Sequence, residues 1–285
     1  MLYSVGMSEL LFGTAGIPVS ARGSDTSEGI RKVARLGLDC MEIEFVQKIY
    51  LNKGNAPHVA EAAKNSGIRL SAHAPYYINL NAHDSKKRNM SQGILHHASS
   101  IAALSGASSI TFHAAFYLGD PPQDVYRRVK ENVSWVQRRL KEEGTETTLR
   151  PEVSGKESQF GSVSELLNLC SELPGIAPTI DFSHWHARRG GNNGYEDFVK
   201  VLEDMKSKLG EEALKNMHIH VSGIVYRASG ERRHINLKES DMNYKELLKA
   251  LYDYKIGGLL ICESPNLEDD ALVMQKKWRE VAGEK

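Results

Sequence analysis

The feature that most constrains the fold of this chain is a rhythm: short β-branched or apolar runs recur along it, each separated from the next by an amphipathic segment. Eight runs are read, at residues 10–12 leading into Gly13-Thr-Ala-Gly16, then 40–45, 69–73, 109–113, 147–152, 177–181, 217–221 and 258–263. Repeated βα units in this number close into a barrel rather than an open sheet. The 285 residues suit one such barrel, and no low-complexity tract, linker or composition shift divides them. A single-domain (β/α)8 TIM barrel over residues 1–285 is expected. The helices carry matching punctuation. Asn55 or Ala56 precedes Pro57 and Gly67 ends the segment, Ser162 with Glu165 has capping-box spacing, and Asn243 with Glu246 has a related form. Within residues 124–143, Val125, Val129, Val133, Val136 and Leu140 form one buried stripe.

Composition removes several classes of function. Lys+Arg and Asp+Glu both number 36, so no overall field attracts a polyanion, and any anionic partner must be held by local clusters or metal. The three cysteines, Cys40, Cys170 and Cys262, include no CxxC pair, which argues against a disulfide framework or a thiolate zinc site. No apolar run approaches a membrane span of roughly 18 residues, and residues 1–11 lack the basic n-region of a signal peptide. A cytoplasmic protein with no membrane association is expected, and no protein partner is implied.

In a barrel of this kind chemistry sits at the C-terminal ends of the strands. Those ends carry His73, His113, Glu152, Asp181, His218 with His220, and Glu263, so the gaps between members are each about one βα unit. His184 and His234 lie in the following loops. One strand-end histidine is more often a hydrogen-bonded structural residue than a ligand, but six convergent positions are not explained that way. His and carboxylate without Cys suit Zn, with Mn or Fe as alternatives, and the number of ligands exceeds what one tetrahedral ion uses, so two or three ions are implied. By period two His218 and His220 share a face; one is a ligand and the other supports it. His58, His83, His96 and His97 fall outside the pattern, and His186 is left open.

These residues also carry a family resemblance. The segments Ser71-Ala-His73-Ala-Pro-Tyr76-Tyr77-Ile-Asn79-Leu80, Thr111-Phe-His113, Pro151-Glu152, Ile180-Asp181-Phe-Ser-His184, Met217-His218-Ile and Ile261-Cys-Glu263 resemble endonuclease IV, the metal-dependent apurinic/apyrimidinic endonuclease among the xylose-isomerase-like barrels. The likeness runs from the third strand to the eighth. It implies a trinuclear zinc site: His73 and His113 on one ion, Glu152 bridging to a second completed by Asp181, His218 and Glu263, and His184 with His234 on a third. One departure stands out. The family has an Asp two residues before its last histidine, where this chain has Arg232. A third ion would then lack its carboxylate unless Glu231 swings in, and a cation beside an arginine is disfavoured. A two-ion enzyme is therefore slightly favoured over a site rebuilt with Glu231 or His186.

The chemistry that the resemblance implies is hydrolysis of the phosphodiester 5′ to an abasic site in double-stranded DNA, by a zinc-activated water. Glu152 and Glu263 are the candidate catalytic groups, Glu152 as bridging ligand and Glu263 as a ligand that orients the water. An abasic sugar must be flipped out to be reached, and Tyr76 and Tyr77 are placed to wedge into the base stack. Lys87 in Lys86-Lys87-Arg88, Arg188 in Arg188-Arg189, and Arg232 in Arg232-Arg233 are candidate DNA contacts. The runner-up is a sugar isomerase or epimerase of the same fold. It needs only a Glu, Asp, His, Glu quartet on one or two divalent ions, which leaves His73, His113, His184 and the basic clusters without purpose. A metal-stabilised binding protein is favoured only by Arg232.

Overall fold

A computed structural model describes residues 9–191 and 193–283. Most of the N-terminal stretch read for a leader, and Asn192 in the loop after the sixth strand, lie outside them. Eight parallel strands form one sheet: β1 Leu10–Ala15, β2 Cys40–Glu44, β3 Arg69–His73, β4 Ala107–Phe112, β5 Thr148–Pro151, β6 Thr179–Asp181, β7 Met217–Val221 and β8 Gly258–Cys262. Their order is β5-β4-β3-β2-β1-β8-β7-β6. The ring closes because the edges β5 and β6 meet through a parallel bridge between Glu152 and Thr179, with the Val153 amide donating to the Thr179 carbonyl at 3.1 Å. This is the barrel the sequence rhythm predicts.

Two kinds of core follow from the period-two alternation of the strands. Outward-facing Phe12, Met41, Ile43, Leu70, Ile110, Leu149, Ile180, Ile219 and Leu260 pack with the helices into one continuous cluster. Inside the barrel, among the described residues, Cys40, Leu259 and Ile261, with Leu11 and Ala15 against them, form an apolar layer. Above it the buried interior is polar, with Glu42, Ser71, Thr111, Thr179, His218 and His220. Buried polar groups persist only when partnered, so a barrel filled this way is built for a site.

The helices start and stop where local chemistry says. Pro57 opens α2 (Ala56–Ser66) and Gly67 ends it in the left-handed region at φ 69°. The Ser162–Glu165 capping box starts α5 (Val163–Glu172), and the valine stripe of α4 (Pro122–Glu142) is buried. Three segments that follow strands are themselves ordered. Lys86, Lys87 and Arg88 lie in the first turn of α3 (Ser85–Leu104), whose N-cap is Asp84. Phe182–Arg189 is a helix, α6, capped by Asp181 and closed by Gly190. After β7 the chain forms an antiparallel hairpin of Gly223–Arg227 with Gly230–Ile235. No helix among the described residues is long and apolar enough to cross a membrane.

Candidate metal centre

The C-terminal rim brings side chains from the ends of six strands, from α6 and from the hairpin into three groups that share members. The first joins His73, His113 and Glu152, with potential ligand atoms within 4.8 Å of one another. His73 Nε2 is 3.0 Å and His113 Nε2 3.2 Å from Glu152 Oε2. His73 Nδ1 is 2.8 Å from the Ala74 carbonyl, which fixes the ring and leaves Nε2 to face the carboxylate. The second joins Glu152, Asp181, His220 and Glu263, with His220 Nδ1 3.2 Å from Glu152 and 3.3 Å from Glu263. The third joins His184, His234 and Glu263, and the two imidazole Nε2 atoms stand 3.2 Å apart.

One expected member is elsewhere. His220, not His218, completes the second group. Both face the interior, as period two requires, but His218 sits a layer deeper, where its Nε2 is 2.9 Å from Glu42 Oε2. Glu42 is the residue the sequence reading missed. It holds His218 on one oxygen, His220 Nε2 at 3.0 Å on the other, and accepts from Ser71 at 2.9 Å. The signal was present in Cys40-Met-Glu-Ile-Glu44, whose alternate carboxylates in a buried strand must face the same interior. With Nε2 held by a carboxylate, His220 presents Nδ1 to the group above, the arrangement by which outer partners orient metal-binding imidazoles. Glu42→Gln should weaken binding of the ion nearest His220 by about 10–100-fold, measured by zinc competition with a chromogenic chelator; unchanged affinity would remove Glu42 from this role.

The second departure lies in the hairpin. The register pairs Val225 with Arg233 but Tyr226 with Glu231, so Arg232 is the extra residue of a β-bulge. In a regular strand Glu231 and His234, three apart, would face opposite sides; the bulge removes that constraint. Glu231 Oε2 lies 3.6 Å from His184 Nε2 and Oε1 3.9 Å from His234 Nε2. Arg232 itself is exposed. The backing is tight: a Cβ on Gly155 would stand 2.8 Å from Glu231 Oε2, and one on Gly230, at φ 95°, 2.2 Å from the Gly155 carbonyl. His186, the other residue open to a rebuilt third site, lies apart from this group: its Nε2 contacts Asp241 at 3.0 Å and its ring packs edge-on against Tyr226.

The electrostatics of the rim fit a site for cations. Three buried or nearly buried carboxylates converge at Glu152, Asp181 and Glu263, and among the described residues their ion-pair partners are all histidines, never Lys or Arg. Burial lowers His73, yet the hydrogen bond and charge of Glu152 prevail and hold it at about 10. Burial pulls His113 and His218 each down to about 4. Burial pushes Glu263 upward, with Asp181 and Glu152 adding to it. Burial beside Glu42 raises Glu44, at the end of β2, to about 8. His73 thus carries protons on both nitrogens near neutral pH, and a metal on Nε2 must displace one. Zinc loading at pH 8 should release at least one proton per chain, seen as a dependence of calorimetric enthalpy on the buffer's ionisation heat; no proton release would contradict ligation by His73.

The candidate DNA contacts divide. Tyr76 and Tyr77, on the loop after β3, are 59% and 45% exposed and meet edge to face at 5.8 Å. Lys87 is exposed. Arg188 is half-buried, and its Nη1 donates to the carbonyls of Ser154 at 3.2 Å, Lys156 at 2.6 Å and Gln159 at 3.0 Å. Through that nitrogen the guanidinium ties down the loop after β5, which carries Gly155.

The family model described as xylose isomerase-like TIM barrel matches residues 30–281. Among curated proteins the chain is 42% identical to an uncharacterized protein of Methanocaldococcus jannaschii, over 95% of this chain and 98% of that one. It is 26% identical to a protein of a Geobacillus species named "Probable endonuclease 4", over 73% and 70% of the two chains. Among solved structures, a D-tagatose 3-epimerase-like protein superposes with TM-score 0.75 at 17% identity, covering 96% and 97%. Endonuclease IV from Thermus thermophilus superposes with TM-score 0.73 at 20% identity, covering 97% and 99%.

Proposed function

The chain belongs to the xylose isomerase-like TIM barrel family, and we propose that it is a divalent-metal phosphodiester hydrolase that cuts double-stranded DNA on the 5′ side of abasic sugars. The observation carrying this reading is the donor count. An epimerase-type quartet is fully supplied by Glu152, Asp181, His220 and Glu263, yet His73, His113, His184 and His234 converge on the same carboxylates. Four further imidazoles around one quartet suit a multinuclear centre, and zinc fits the donor set, with Mn as an alternative.

In this reading His73 and His113 would hold one ion, Asp181 and His220 a second, and His184, His234 and Glu231 a third, with Glu152 placed to serve the first two. Bound ions of this kind bring water towards a pKa of about 7 and neutralise phosphate and leaving-group oxygens. The chain's own residues do the rest. Glu263, between the second and third groups, orients the attacking water. His184 is aimed by Asp181, whose Oδ1 also accepts from the His184 amide at 2.7 Å. Hydrolysis adds water across one P–O bond: oxygen joins phosphorus, the preceding nucleotide leaves as a 3′ alcohol, and the phosphate stays on the abasic sugar. Tyr76 and Tyr77 fill the gap left by the extruded nucleotide, and Lys87 and Arg232 contact phosphates.

Binding of an abasic duplex should weaken with salt, and Lys87→Ala should lower the slope of log affinity against log salt by about one. Arg188→Ala should leave the slope unchanged and instead increase proteolysis of the loop at residues 154–159. Salt-independent binding, or an Arg188→Ala effect equal to that of Lys87→Ala, would contradict this division. The quartet keeps a second reading specific: a ketose epimerase would turn over a free sugar and survive loss of His184, which the hydrolase would not.

A further inference from the structure

The opposite, N-terminal mouth of the barrel contains a cavity of about 310 Å³ into which Arg69, Arg150, Lys215 and Glu9 project as its charged lining, with Ser109 and His218 beside them. Three permanent cations face a single carboxylate. Arg150 is the telling member. It is 3% exposed, and its Nη atoms donate to the carbonyls of Pro178 at 3.1 Å and Asn216 at 2.9 Å. Its Nε is buried with no hydrogen-bond partner. Among the described residues no carboxylate lies within ion-pair distance of Arg150, Arg69 or Lys215. A buried guanidinium without a counterion is costly, and carbonyl partners satisfy its protons without neutralising its charge.

We infer that this mouth binds a small phosphate-type oxyanion, either free or as the phosphate of a small monoester. The site lies on the far side of the barrel from the candidate metal centre, and its ligand supplies the charge that Arg150 lacks. Two flanking cations and the Ser109 hydroxyl, beside the buried charge of Arg150, match a tetrahedral oxyanion. The cavity is at the small end of ligand pockets, suited to a headgroup rather than to a polymer. Nothing in this inference depends on the reaction at the rim.

The test titrates zinc-loaded protein with inorganic phosphate and, separately, with glycerol 3-phosphate, by calorimetry. Arg69→Ala/Lys215→Ala changes a surface arginine and a half-buried lysine and leaves the core and metal ligands intact, with circular dichroism and zinc content as controls. The double variant is expected to lose one equivalent of binding, or to weaken it by about tenfold or more, while any phosphate held at the rim remains. Tighter binding of glycerol 3-phosphate than of phosphate by the unmodified protein identifies a monoester as the occupant; equal or weaker binding identifies the free anion. Identical stoichiometry and affinity in the double variant and the unmodified protein would overturn the inference.

Discussion

Glu152→Gln is expected to strip at least one ion from the centre and to reduce incision of an abasic duplex by about a thousandfold or more, since each ion supplies several kcal/mol of charge stabilisation to the transition state. The effect is large because Glu152 is the shared member: one oxygen faces His73 and His113, the other His220 and His184. An amide of the same size keeps the packing but offers one oxygen and no charge. His73 should also lose much of the support that holds it at about 10, so its proton would be released at lower pH. Retention of full metal content and rate in Glu152→Gln would rule out the shared role.

The second large effect concerns the hairpin. Glu231→Gln is expected to lower zinc stoichiometry from three to two per chain, or to weaken one ion by about 100-fold, with a matching loss of incision. Arg232→Asp should leave the stoichiometry at three, because the side chain of the bulge residue is exposed and the carboxylate is already supplied from position 231. The sequence alone slightly favours two ions, because a carboxylate one residue out of place turns away unless the loop bulges; the register shows that bulge. Anomalous-scattering maps of both variants decide the matter. Three full ions in Glu231→Gln, or a third ion that is present only in Arg232→Asp, would show that Glu231 is not a ligand.

What could be read from the chain, and what could not, separates by physical cause. Strands and rim positions were legible because buried parallel strands are written as apolar runs at regular spacing, and a His or carboxylate closing such a run has nowhere to point but the mouth. Which of two interior histidines stands at the rim was not legible, since His218 and His220 share a face and differ only in depth along the barrel axis. Glu42 and Glu44 were readable from the same alternation but sit in the second strand, which has no terminal histidine to mark it. The bulge at Arg232 has no periodic signature, because one inserted residue changes the side a chain presents without changing its composition. Arg188 shows the limit of reading charge alone: a basic pair in a loop at the catalytic face signals phosphate contact, and only the three carbonyls converging on it reveal that it holds the loop together.

Incision of an abasic-site duplex by the zinc-loaded protein, with the products resolved beside a ketose-epimerisation assay on the same preparation, tests the central claim most directly. The account predicts zinc-dependent cleavage on the 5′ side of the abasic sugar, leaving a 3′ hydroxyl on the upstream strand, abolished by a chelator and restored by zinc, with no sugar turnover. Intact duplex together with metal-dependent epimerisation of a free ketose would contradict it and assign the quartet of Glu152, Asp181, His220 and Glu263 to sugar chemistry.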